Sequence, residues 1–102
     1  MIIISYRRES VCMGDDVHNG EYKIKMSDLA ALGDLIDVLR FGGNGNTWKI
    51  PSTVDTWYID SNIGILAELS TDENNDKHVK YIAYNADTPL SSLGVEWVFA
   101  KR

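Results

Sequence analysis

One cysteine, Cys12, stands among the 102 residues, so no disulfide can close within the chain. A reducing compartment, and with it a cytoplasmic location, is the expectation. Long apolar runs are missing too. Nothing approaches the roughly 20 residues needed to span a bilayer. Met1-Ile2-Ile3-Ile4 is apolar, but Arg7, Arg8 and Glu9 follow at once, which leaves no room for the apolar segment of a secretory leader. Basic charge is scarce. Ten Lys and Arg face fifteen Asp and Glu, for a net charge of −5, and the only basic runs are Arg7-Arg8 and Lys101-Arg102. This balance argues against nucleic acid and against an anionic membrane as partners, because both need cations to neutralise phosphates. The acidity is also too dilute for a nucleic-acid mimic, and reads as solubilising charge. Internal repeats and low-complexity segments are absent.

A 44% hydrophobic content over 102 residues is enough for one core and one domain, residues 1–102. Turn-rich stretches at 12–20, 42–47 and 71–78 divide it. Residues 2–8 read as a strand with Ile2, Ile4 and Tyr6 on one face and Ser5 and Arg7 on the other. Residues 21–26 alternate more cleanly, Tyr22, Ile24 and Met26 against Glu21, Lys23 and Lys25, as a strand with one wet face should. Residues 28–40 carry the only long helical pattern. Leu29, Leu32, Ile36 and Leu39 form a stripe with Leu35 beside it. Ser27 is placed to cap the start with Asp28 in the first turn, Arg40 complements the end, and Gly42-Gly43 stops the helix. Gly33, costly inside a helix, marks a close approach to the sheet.

Further strands are expected at 54–60 (Trp57 and Ile59 on one face), 65–69, 79–84 and 95–100, the last with Val95, Trp97 and Phe99 on one side. Between the last two, residues 87–94 read as a single helical turn, capped by Thr88, opened by Pro89 and ended by Gly94. The fold class is therefore α+β: a mostly antiparallel sheet of four to six strands, covered on one face by a single helix. The order of elements (hairpin, crossing helix, further strands, short helical turn, last strand) resembles the β-grasp fold of ubiquitin-like proteins. The resemblance covers most of the chain and rests on no sequence motif. Conjugation through a terminal Gly-Gly is not expected, because the one Gly-Gly, Gly42-Gly43, is internal.

Several motifs fail on inspection. Gly42-Gly43-Asn44-Gly45-Asn46 follows a helix rather than a strand and lacks the lysine of a phosphate loop. Asp72-Glu73-Asn74-Asn75-Asp76 starts like a calcium loop, but Lys77 and Ala83 stand where Gly and Glu are needed, so a polar turn is expected. The segment from Cys12 to His18 gathers a thiol, Asp15, Asp16 and an imidazole in a loop of about nine residues, long for a hairpin. Its plain reading is a buried small thiol, an Asp turn and a solvated histidine. The alternatives are a metal site of Cys12, Asp15, Asp16 and His18, whose spacing matches no zinc pattern, and a thiol nucleophile activated by His18 or His78. With Asp15 and Asp16 beside it, Cys12 is expected to keep a near-normal or raised pKa.

No catalytic constellation emerges and no cofactor is implied. The functional expectation is a non-catalytic module that binds another protein through a sheet edge or face, an inhibitor or immunity-type protein being one form. Its binding residues are placed on the long loops, at Asp15, Asp16 and Trp48. The alternative is a small enzyme or metal/redox protein using the Cys12–His18 loop. Partner identity and oligomeric state do not follow from the residues.

Overall fold

The computed structural model describes residues 1–8, 22–42, 50, 56–74 and 76–102. Asp15, Asp16, Trp48, Cys12 and His18 lie outside the described residues. The elements in order are β1 (Ile2–Arg8), β2 (Tyr22–Met26), α1 (Leu32–Phe41), β3 (Trp57–Ser61), β4 (Ala67–Thr71), β5 (Lys77–Tyr81), α2 (Leu90–Leu93) and β6 (Trp97–Lys101). The six strands make one sheet in the order β2-β1-β6-β3-β4-β5. Strands β1 and β6 run parallel, and every other neighbouring pair is antiparallel. The chain is thus an α+β fold with a mixed, mostly antiparallel sheet and one main helix. Its elements follow the order expected from the sequence.

The core lies between α1 and one face of the sheet. Leu32, Leu35, Ile36 and Leu39 of the helix are buried, as are Ile4, Tyr6, Ile24, Met26, Trp57, Ile59, Ala67, Leu69, Val98 and Ala100 from the strands. The strand positions follow from register. Tyr6 pairs with Tyr22 and Val98, Ile59 with Ala67 and Ala100, and Trp57 with Leu69, so one parity of every strand points to the helix. Burial pushes the Tyr6 phenol well above its ordinary pKa, which keeps it neutral in the core.

Leu29 does not join the stripe. It is 93% exposed, and α1 begins at Leu32 rather than at residue 28. The reason is that the backbone before the helix bonds elsewhere. Ala30 N donates to Ser27 O and Leu29 N to Ser27 Oγ, closing a tight turn that carries Leu29 outward. Leu90 N donates to Ala30 O, and Ala31 forms a bridge with Pro89. The first helical amides, Leu32 N and Gly33 N, donate to Thr88 O and Ala86 O at 2.9 Å each, so tertiary carbonyls do the work expected of a Ser27 cap. The N-cap is Ala31, whose N–H donates to the Asp34 carboxylate at 2.9 Å; Asp34, not Asp28, is the acid of the first turn. Leu29→Ala should therefore change stability by less than about 0.5 kcal/mol in chemical denaturation. A loss like that of a buried leucine, about 2–5 kcal/mol, would contradict this reading of the helix start.

Gly33 approaches first the segment before α2 and then the sheet: an added Cβ would sit 3.2 Å from both Cβ and O of Ala86 and 3.5 Å from Oη of Tyr81 on β5. Gly42 ends α1 in the left-handed conformation at φ 79°, donating to Val38 O. Arg40, in the last turn, is buried instead of solvated. Its Nη2 donates to Ser70 O at 3.1 Å and His78 O at 3.0 Å, tying the helix end to β4 and β5. Desolvation lowers its pKa, with Asp37 and Tyr81 opposing. The short helix α2 is capped by Pro89, one residue later than the Thr88 cap the sequence suggested. Thr88 Oγ1 instead accepts from Asn85 N in the preceding turn. Gly94 closes α2 at φ 70°.

Candidate interaction face

The second face of the sheet carries the opposite parity of each strand. On β2 these positions are Lys23 and Lys25, and on β4 they are Glu68 and Ser70, as expected of strands with a wet side. The three central strands differ. Outward from β1 come Ile3, Ser5 and Arg7; from β6, Trp97, Phe99 and Lys101; from β3, Tyr58 and Asp60. Register places them in rows: Lys23, Ser5 and Trp97 form one, Arg7, Phe99 and Asp60 the next, and Lys101, Tyr58, Glu68 and Lys80 a third. Ile3 is 54% and Trp97 41% exposed, while Phe99 and Tyr58 are half-buried. A hollow of about 610 Å³ opens on this face, lined by Ser5, Arg7, Asp60, Glu96, Trp97, Val98 and Phe99.

This corrects the sequence reading of the last strand. Trp97 and Phe99 share a side as the alternation implied, but Val95 is buried ahead of the strand, which starts at Trp97, and it is Val98 and Ala100 that turn inward. The space opposite is already taken by bulky neighbours. Val98 packs beside Tyr6 and Ala100 beside Ile59, and small side chains fit between such residues where a tryptophan would not. Trp57 and Trp97, both strand tryptophans, thus lie on opposite faces, one 1% exposed and the other 41%.

The strand that presents Trp97 is fixed from several sides. Asn62, in the turn after β3, donates through Nδ2 to Gly94 O at 2.9 Å and accepts from Glu96 N at 2.8 Å through Oδ1. Ser5 N donates to Glu96 O at 3.0 Å. The Asn62 turn is held by Ser61, whose Oγ donates to Gly64 O at 2.6 Å and accepts from Ile63 N, with Gly64 at φ 107°. Across the face, Lys23 Nζ donates to Ser5 Oγ at 2.6 Å, and Lys101 Nζ lies 3.6 Å from an Asp60 oxygen.

Elsewhere the polar groups serve turns. Asp72 Oδ1 accepts from Asn74 N and Asp76 N, each at 2.9 Å, and Oδ2 meets His78 Nε2 at 3.0 Å. The His78 hydrogen bond first, then the backbone amides, hold the Asp72 carboxyl below the usual carboxylate range. These contacts tie Asp72 to Asn74, Asp76 and His78, a polar closure between β4 and β5. Among the described residues, no three His, Cys, Asp or Glu side chains gather as a metal site. Nor is any described helix long and apolar enough to cross a membrane. Compared with known proteins, the chain matches no family model, no curated protein and no solved structure.

The sequence reading named a sheet edge or face in general and placed its candidate residues at Asp15, Asp16 and Trp48, outside the described residues, without singling out this face. The signal was present as apolar residues at both parities: Ile2-Ile3-Ile4, Trp57-Tyr58-Ile59 and Trp97-Val98-Phe99-Ala100. A strand buried on both sides, or one that offers its second side to a partner, has this pattern.

Proposed function

We propose that the chain is a non-catalytic protein-binding module that engages its partner through the outer sheet face around Trp97, Phe99 and Arg7. What carries the reading is the run of outward apolar side chains on the three central strands, Ile3, Trp97, Phe99 and Tyr58, beside the hollow and Arg7. Tryptophan, tyrosine and arginine are the residues that dominate protein interfaces, and an exposed apolar patch rimmed by polar residues is the usual mark of one. The face is favoured over the sheet edges. Edge strand β5 presents Lys77, His78 and Lys80, and charge on an edge resists strand addition. An inhibitor or immunity-type protein would act through such a surface. The test is parallel affinity capture with the wild-type chain and Trp97→Ala from the source cells. One stoichiometric protein partner, lost with Trp97→Ala, is the expected result. A partner retained by Trp97→Ala, and lost instead on changing the helix face at Asp34 and Asp37, would overturn the assignment.

A further inference from the structure

The hollow and the charges around it say something about the partner's chemistry; the inference rests on the face being the binding surface. We infer that the hollow receives an apolar or aromatic side chain from a protein segment whose neighbouring residues are Asp or Glu.

The apolar part of the lining is Trp97, Val98 and Phe99. Trp97 and Phe99 are successive outward residues of β6, and a ring or aliphatic chain laid between them would be covered from two sides. Around this anchor the charges are sorted by strand. Arg7 lines the hollow from β1, and Lys23 and Lys25 follow outward on β2. Asp60 lines it from β3, with Lys101 beside that carboxylate, and Glu96 precedes the strand. Among the described strand residues the outer face holds five cations, Arg7, Lys23, Lys25, Lys80 and Lys101, against two carboxylates, Asp60 and Glu68. Adding Glu96 at the rim makes it five against three, an excess of positive charge in a chain whose net charge is −5. The described acids Asp28, Asp34, Asp37, Asp72, Glu73, Asp76 and Asp87 all lie outside these outward strand positions.

An acidic segment suits this arrangement because its carboxylates can be spaced. They can fall on the β1–β2 side, where the Arg7 guanidinium offers a planar pair of donors, while the anchor lies between Trp97 and Phe99. A single-stranded nucleic acid would also stack on Trp97 and Phe99, but it carries a phosphate at every nucleotide. Some of these would meet Asp60 and Glu96, and the whole strand would approach a protein of net negative charge.

The experiment is selection from a random peptide library displayed on phage, with the full chain as bait. Binding of the selected synthetic peptides is then measured to wild type, Trp97→Ala and Arg7→Glu. The expected peptides place an aromatic or large aliphatic residue next to Asp or Glu. Both variants should weaken them by roughly tenfold or more, as loss of a central aromatic or arginine does at interfaces. Raising salt from about 50 to about 500 mM should weaken wild-type binding several-fold through screening. Unchanged melting temperatures show that neither variant acts by unfolding. Neutral or basic peptides that still depend on Trp97 would overturn the acidic partner and leave the face reading intact. Peptides indifferent to Trp97→Ala, or no peptides at all, would overturn both. Trp97-dependent binding of oligothymidine or oligouridine would replace the protein partner with a nucleic acid.

Discussion

Trp57→Ala is expected to cost about 3–5 kcal/mol of folding free energy, the range for removing a large aromatic from a packed core. Trp57 is 1% exposed, faces the helix side of the sheet and pairs across the ladder with Leu69. The Arg102 guanidinium lies 5.4 Å from its ring centre, so the alanine variant also loses a cation–π contact. Domains of this size have about 5–15 kcal/mol in total, so the loss is a large share of it. Trp57→Phe should cost distinctly less. The Trp57 Nε1 is buried without a hydrogen-bond partner among the described residues, a burden of about 1–3 kcal/mol that phenylalanine removes. Urea titration monitored by circular dichroism checks both: the midpoint should fall far for alanine and less for phenylalanine, with the slope unchanged. A cost below about 1 kcal/mol for alanine would mean that the face was misassigned.

Trp97→Ala is expected to do the reverse. At 41% exposure on the outer face, its ring is not part of the closed core, so its removal should shift stability by no more than about 1 kcal/mol. Binding should fall by about 2 kcal/mol or more if this ring is the centre of the interface. Isothermal titration of the partner into both proteins, with melting curves alongside, separates the two effects. Equal affinity with wild-type melting would remove Trp97 from the site. The same substitution, made at two tryptophans forty residues apart, thus separates what folds the chain from what it recognises.

The sequence made some of this legible. Residues 2–8 and 21–26 alternate because each strand has one dry face, and the structure places Ile2, Ile4, Tyr6, Tyr22, Ile24 and Met26 toward the helix. Glycine at 42 and at 94 marked both helix ends, because the left-handed turn there favours a residue without Cβ. The start of α1 was not legible. Ser27 and Asp28 satisfy local capping rules, but the amides of Leu32 and Gly33 find Ala86 and Thr88, more than fifty residues away in sequence, and no local pattern reports that. The face of β6 was ambiguous for a related reason. When both parities are apolar, neighbours across the sheet choose which one turns inward, and those neighbours come from β1 and β3. The exposed aromatic face was hidden for the same reason: aromatic residues in a strand read as core until the opposite parity is seen to fill it.

The most direct test of the central claim is to map the bound surface by amide chemical shifts. The isotopically labelled chain would be titrated with the partner that captures it. The account predicts perturbations concentrated at Ile3, Ser5, Arg7, Glu96, Trp97 and Phe99, the outer positions of β1 and β6 and the rim of the hollow. Perturbations concentrated instead on the exposed side of α1, at Asp34, Asp37 and Phe41, with the Trp97 indole resonance unmoved, would contradict it.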